Sequence, residues 1–72
     1  MSDQFVPVNS AIIQEVLYNQ GDETLLIRFT KGSLYKYSKV SQRMYDEMVS
    51  AESVGKYFHK NIKPLPTTKL EG

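Results

Sequence analysis

A chain of 72 residues with a mass of 8.3 kDa forms one domain, because a second hydrophobic core would need a longer chain. Apolar residues make up 40% of the chain and charged residues 24%, a globular balance that argues against intrinsic disorder. The lack of cysteine excludes disulfides and thiolate-based zinc sites, and it fits a reducing compartment. No apolar run approaches the roughly 18 residues of a membrane span, and residues 1–4 lack the basic and apolar regions of a signal peptide. We therefore expect a small, soluble, cytoplasmic domain.

Three strands are predicted in the first half of the chain. Residues 1–9 should form an extended lead-in, since Pro7 stands between two valines and disfavours a helix before it. Runs rich in β-branched and aromatic residues follow, and the turn formers of residues 19–22 separate the first two runs. The predicted strands are residues 11–18, 24–30 and 33–40.

The register of the second hairpin depends on which turn places the apolar side chains on one face of the sheet. A two-residue loop would send the two tyrosines to the face opposite the apolar residues of the preceding strand. A three-residue loop, which needs a left-handed residue where Gly32 stands, pairs Ile27 with Tyr35 and Leu25 with Tyr37. We adopt this register. It directs both tyrosines into the core, which argues against their use as a platform for stacking bases.

Helical periodicity takes over after residue 40. Ser41 and Ser53 are candidate N-caps for two short helices, and Gly55 in the second helix suggests a close approach of another backbone. Prolines end this helix, so residues 64–72 are expected to be a flexible tail. The predicted fold class is α+β, a three-stranded antiparallel β-meander packed on one face by one or two short C-terminal helices. Its predicted core comprises Leu25, Ile27, Phe29, Tyr35, Tyr37, Tyr45, Met48, Tyr57, Phe58 and Ile62.

Two motifs are distinctive, a Tyr-x-Tyr pair at residues 35–37 and a Ser-x-Gly-x-Tyr-Phe motif that begins at Ser53 and continues to Ile62-Lys63. With them, residues 8–63 resemble the KTSC domain, which occurs at the C-terminus of some lysyl-tRNA synthetases and as short stand-alone bacterial and phage proteins. The resemblance implies a KTSC-like domain over residues 10–63 in the stand-alone form. It also implies RNA binding, the activity suggested for such domains.

Catalytic motifs are missing from the sequence. His59 is the only histidine, so a two-histidine metal site cannot exist, and no Gly-x-Ser-x-Gly elbow presents a nucleophile. The acidic residues fall in turns or on exposed helix positions, and the four glycines are isolated rather than grouped into a phosphate-binding loop. We therefore predict a protein that is not an enzyme and that needs no cofactor and no metal.

Basic residues are concentrated in the second half of the chain. Residues 31–63 hold seven lysines and arginines against three acidic residues, whereas residues 1–30 hold one against four. On a helix, positions 56, 59, 60 and 63 share one face, opposite the apolar positions, and such a face suits phosphates. A solvated face that complements the helix dipole explains the same pattern without a ligand. The predicted nucleic-acid site consists of Lys56, His59, Lys60, Lys63, Lys36 and Arg43.

A protein-interaction module is the alternative to nucleic-acid binding. Leu26 and Leu34 should lie on the outer sheet face, and an unpaired edge strand would suit a protein partner or self-association. Such a module could be a bacterial or phage accessory protein that binds or inhibits a larger host factor. An enzymatic function is the third and last-ranked of the three functional interpretations.

Overall fold

The computed structural model describes residues 4–72. Residues 1–3 lie outside the described part, so the start of the predicted lead-in and most of the N-terminal segment that lacks signal-peptide features are not described. A five-stranded antiparallel sheet, whose strand order follows the chain order, forms one layer. Short helical segments pack against one face of this sheet. The elements are β1 (Val6–Pro7), β2 (Ile13–Asn19), β3 (Thr24–Phe29), β4 (Leu34–Tyr37), α1 (Gln42–Val49), α2 (Val54–Tyr57), a π-helical turn (Phe58–Ile62) and β5 (Thr67–Glu71).

The predicted α+β class with an antiparallel sheet and short helices is confirmed, but the number of strands was wrong. β1 lies within the expected lead-in and pairs with β2. Part of the expected flexible tail forms β5, which pairs with β4, and the amide of Ser38 donates to the carbonyl of Pro66 at 2.9 Å. The prolines do end the helical segment. The chain then returns along the open edge of β4 and pairs with backbone groups that would otherwise lack partners. Because β5 follows the helices in the chain, the helices are not C-terminal as predicted.

The register predicted for the second hairpin is confirmed. Ile27 pairs with Tyr35 and Leu25 with Tyr37, and the amide of Phe29 donates to the carbonyl of Ser33 at 2.9 Å. Gly32 has a φ of 105°, in the left-handed region that the predicted turn requires. The alternation of side chains then places both tyrosines on the face that the helices cover.

All ten predicted core residues belong to the hydrophobic cluster between the sheet and the helices. Six of them are buried, whereas Phe29, Tyr35, Tyr45 and Tyr57 are only partly buried around its margin. The prediction omitted three fully buried residues, Ile13, Val16 and Val40. Two of these lie in β2, a strand for which no side was predicted to face the core.

The helix caps are as expected. The Ser41 hydroxyl accepts a hydrogen bond from the amide of Met44, and the Ser53 hydroxyl accepts one from the amide of Lys56. The close backbone approach expected at Gly55 is not what the structure shows, because the three atoms nearest to a Cβ there are side-chain atoms of Ile12 and Ser10 at 3.5 Å, an ordinary van der Waals distance.

We expect Gly32→Val to lower the free energy of unfolding by more than about 1 kcal/mol, the usual span of strand propensities, because a β-branched residue resists a positive φ. No atom beyond residues 31–33 lies within 4 Å of the added Cβ, so we expect the cost to come from the backbone conformation. Gly21→Ala is the matched control, since a Cβ there makes one contact at 3.4 Å and should be tolerated. Urea denaturation would compare the two variants. Equal stability would contradict the assigned turn.

Candidate nucleic-acid interface

The second helical segment orients the predicted basic side chains. Val54, Phe58 and Ile62 are buried against the sheet, so the opposite side of this segment faces solvent. The amide of Lys63 donates to the carbonyl of Phe58 at 2.8 Å, an i to i+5 bond that makes the last turn π-helical and wider than the assumed α-helical turn. The four predicted residues of this segment are all exposed: Lys56, His59, Lys60 and Lys63. We call these four residues the basic face.

Several grooves adjoin the basic face. One, of about 360 Å³, is lined by Lys56 and His59 together with Glu52 and residues 9–12. Two others have contrasting linings. The first of these two, which we call the lysine groove, has a volume of about 590 Å³. Lys56 and Lys60 line it together with Glu52, whose carboxylate partly offsets their positive charge. The remaining lining residues are Ala51, Ser53, Tyr57 and Asn61.

The second groove, which we call the aromatic cleft, has a volume of about 340 Å³. It lies where the Gly32 turn of the hairpin approaches the π-helical turn. Two basic-face residues, His59 and Lys63, line it opposite Lys31 from the hairpin turn. The other lining residues are Phe29, Tyr35, Tyr37 and Phe58. Sequence reasoning assigned these rings to the core and missed that two of them reach a surface cleft. Their position at strand ends beside the turn was the available signal.

Two of the predicted binding residues lie away from the basic face. Lys36 lies between two tyrosines that face the helices, so strand alternation directs it to the opposite sheet face, where it pairs with Leu26 and Thr68. Arg43 lies on α1, and its Nε is 3.2 Å from a carboxylate oxygen of Glu47 in an i,i+4 ion pair. The structure therefore brings four of the six predicted residues together and places the other two elsewhere.

Ion pairing leaves the basic face available to an external anion. Across residues 4–72, the ion pairs join Arg28 to Glu15, Arg28 to Glu71, and Arg43 to Glu47. None of them uses a basic-face residue.

Within the same part of the chain, no group of three histidine or acidic side chains is placed to hold a metal ion. None of the described helices is long and apolar enough to span a membrane.

A carboxylate network ties α1 to α2 beside the lysine groove. The Tyr57 hydroxyl donates to Glu47 Oε1 at 2.7 Å, and Arg43 donates to the other carboxylate oxygen. These hydrogen bonds, the one from Tyr57 first, lower the pKa of Glu47 below its ordinary value of 4.5. The tyrosine that orients this carboxylate also lines the lysine groove. The network therefore links α1 to α2 through exposed side chains beside the lysine groove.

We expect the Glu47 carboxyl to titrate below pH 4.5 and to move back towards 4.5 in Tyr57→Phe, which removes its first hydrogen-bond donor. Because the folded-state pKa is depressed, the stabilisation is present above about pH 4.5 and is lost as the pH falls. The melting temperature of Tyr57→Phe should lie below that of the wild type at pH 7, and the gap should narrow as the pH falls below 4.5 and the carboxylate is protonated. Carboxyl NMR titration measures the first effect. A Glu47 pKa unchanged by the substitution, or shifted equally by Tyr45→Phe, would contradict the assignment.

Comparison with known proteins identifies the family. The family model of the KTSC domain matches residues 9–65, most of the chain. The chain belongs to the KTSC domain family. It resembles the crystal structure of a KTSC domain protein from Yersinia pestis with a TM-score of 0.85 and 32% identity, covering 93% of this chain and 96% of that one. The match over nearly the whole of both chains agrees with the stand-alone form.

Sequence relatives match this chain in two settings. A protein from Tsukamurella paurometabola is 34% identical over 58 residues, which are 81% of this chain and 87% of the relative. A lysine–tRNA ligase from Trichormus variabilis is 42% identical over 53 residues, 74% of this chain. The matched region is only 9% of that ligase, so the region that matches this chain makes up most of one relative and a small part of the other.

Proposed function

We propose that this KTSC domain is a non-enzymatic, RNA-binding module that contacts phosphates through its basic face. The observation that carries the proposal is the arrangement of Lys56, His59, Lys60 and Lys63, exposed together and free of ion pairs among residues 4–72. Lysine side chains in this state gain affinity by releasing counterions from a nucleic-acid backbone. A solvated face that complements the helix dipole is the alternative explanation, and it predicts no binding of RNA.

The ligase relatives favour RNA as the partner. Lysine–tRNA ligases from Trichormus variabilis and Nostoc punctiforme contain a matching region, and their names state that they act on tRNA. A small module with a basic face can add contacts to an RNA backbone in such an enzyme. We extend this role to the stand-alone chain, with no membrane partner and with a cytoplasmic location.

A protein-interaction module is the second candidate, and the sheet supports it at one place. All five residues of β5 are exposed, including Leu70 at 44%, and β5 is the last strand of the described sheet. Such an edge can add a strand from another chain. The outer sheet face offers less apolar area than expected, because Leu34 is only 8% exposed and an Arg28–Glu15 ion pair lies beside it.

A salt titration with a single-stranded RNA tests the proposal. If three lysines each neutralise one phosphate, the logarithm of affinity should fall against the logarithm of salt concentration with a slope of about −2, from roughly −0.7 per contact. Fluorescence anisotropy of a labelled strand between about 50 and 200 mM salt measures this slope. Absence of binding at about 50 mM, where phosphate contacts are strongest, would reject the proposal and favour the protein-interaction module.

A further inference from the structure

The aromatic cleft differs from the lysine groove in chemistry and in construction. Its floor is a set of rings that fix one another. Phe58 packs edge-on against Phe29 and Tyr37, with centroids 5.5 and 5.3 Å away, and Tyr35 meets Phe29 edge-on at 5.6 Å. Phe58 and Tyr37 are buried, whereas Phe29 and Tyr35 are only partly buried. The accessible aromatic surface therefore belongs to two rings whose orientation the core already determines.

The charge around these rings is positive. Lys31 and Lys63 line the cleft from the hairpin turn and from the end of the π-helical turn, and both are exposed. His59 also lines it, with its ring 5.3 Å from that of Phe58. The described lining contains no carboxylate, in contrast to the lysine groove with its Glu52. A ligand with a flat apolar surface and a negative charge on each side of it complements these residues.

The size of the cleft restricts that ligand further. Its volume of about 340 Å³ lies at the lower end of the roughly 300–1,000 Å³ typical of small-molecule sites. This is space for one nucleotide rather than for a duplex. Bases that stack on protein rings must first leave their own stack, as they do in single strands, loops and bulges.

We propose that the aromatic cleft holds one unpaired RNA base, stacked on Tyr35 beside Phe29, while Lys31 and Lys63 contact the flanking phosphates. This inference rests on the proposed function and makes it specific. The basic face supplies affinity for any RNA backbone, and the aromatic cleft supplies the preference for unpaired RNA. Because every base has an aromatic face, the site discriminates weakly between sequences.

The test compares a short oligouridylate with an abasic ribose-phosphate strand of the same length and charge. The wild-type protein should bind the oligouridylate roughly five- to 150-fold more tightly, the range for stacking of one base. Tyr35→Leu keeps an apolar side chain of the core and should remove this preference. Tyr45→Leu is the matched control, since Tyr45 is another partly buried tyrosine, stacked on Tyr18 at 4.8 Å and absent from the cleft. It should leave the preference intact.

The outcomes separate the two proposals. Equal affinity of the wild type for both strands would overturn the base site and leave the phosphate-binding face standing. Failure to bind either strand at about 50 mM salt would overturn both. If Tyr35→Leu does not fold, the wild type is titrated with uridine 5′-monophosphate and followed by NMR. Shifts at Phe29, Tyr35 and Lys63 would support the base site, and shifts confined to other residues would overturn it.

Discussion

Phe58→Ala is expected to lower the free energy of unfolding by about 3–5 kcal/mol, the usual cost of deleting a buried phenylalanine. Phe58 is 3% exposed and joins the helical layer to the sheet through edge-on contacts with Phe29 and Tyr37. Domains of this size have a total stability near the lower end of about 5–15 kcal/mol. We therefore expect the variant to be largely unfolded at 37 °C, as measured by far-ultraviolet circular dichroism and urea denaturation.

Val49→Ala provides the control for this prediction. Val49 lies at the end of α1 and is 38% exposed, so its truncation opens no cavity and should change stability by about 0.5 kcal/mol or less. A loss below about 1 kcal/mol in Phe58→Ala would show that the ring does not connect the two layers as described.

The double variant Lys56→Glu/Lys60→Glu is expected to lose RNA binding by more than tenfold while remaining folded. Both side chains are exposed and line the lysine groove, where two further carboxylates would join Glu52 and repel phosphates. The fold should tolerate the change. Glu at position 56 stands three residues after the N-cap Ser53, where it completes a capping box. Anisotropy titration and circular dichroism measure the two properties on the same sample.

Lys36→Glu/Lys39→Glu is the matched control, since it changes the net charge by the same amount. Lys36 lies on the sheet face away from the helices, and Lys39 lies beyond the end of β4 that is remote from the Gly32 turn. This variant should therefore keep most of its RNA affinity. An equal loss in both double variants would point to net charge rather than to the basic face.

Much of the site could be predicted because its determinants are local. The N-caps and the alternation of apolar with basic residues after Ser53 place the basic face without knowledge of the tertiary structure. The separation of Lys36 from this face was also within reach, because the predicted register already directed it away from Tyr35 and Tyr37. The aromatic cleft was not. The cleft forms where the hairpin turn lies next to the π-helical turn, and no residue spacing in the sequence predicts that these two segments are close in space.

The sequence by itself determined the KTSC resemblance, the helix caps and the register of the second hairpin, since Gly32 and the two-residue alternation act between neighbouring segments. The tertiary structure decided the rest of the sheet. The sequence of residues 67–71 shows no alternation of apolar and polar residues that would predict a strand, and every side chain of β5 is exposed. These residues form a strand because β4 offers unpaired backbone groups along its edge, and hydrogen bonding to those groups depends on position in space rather than on side-chain type.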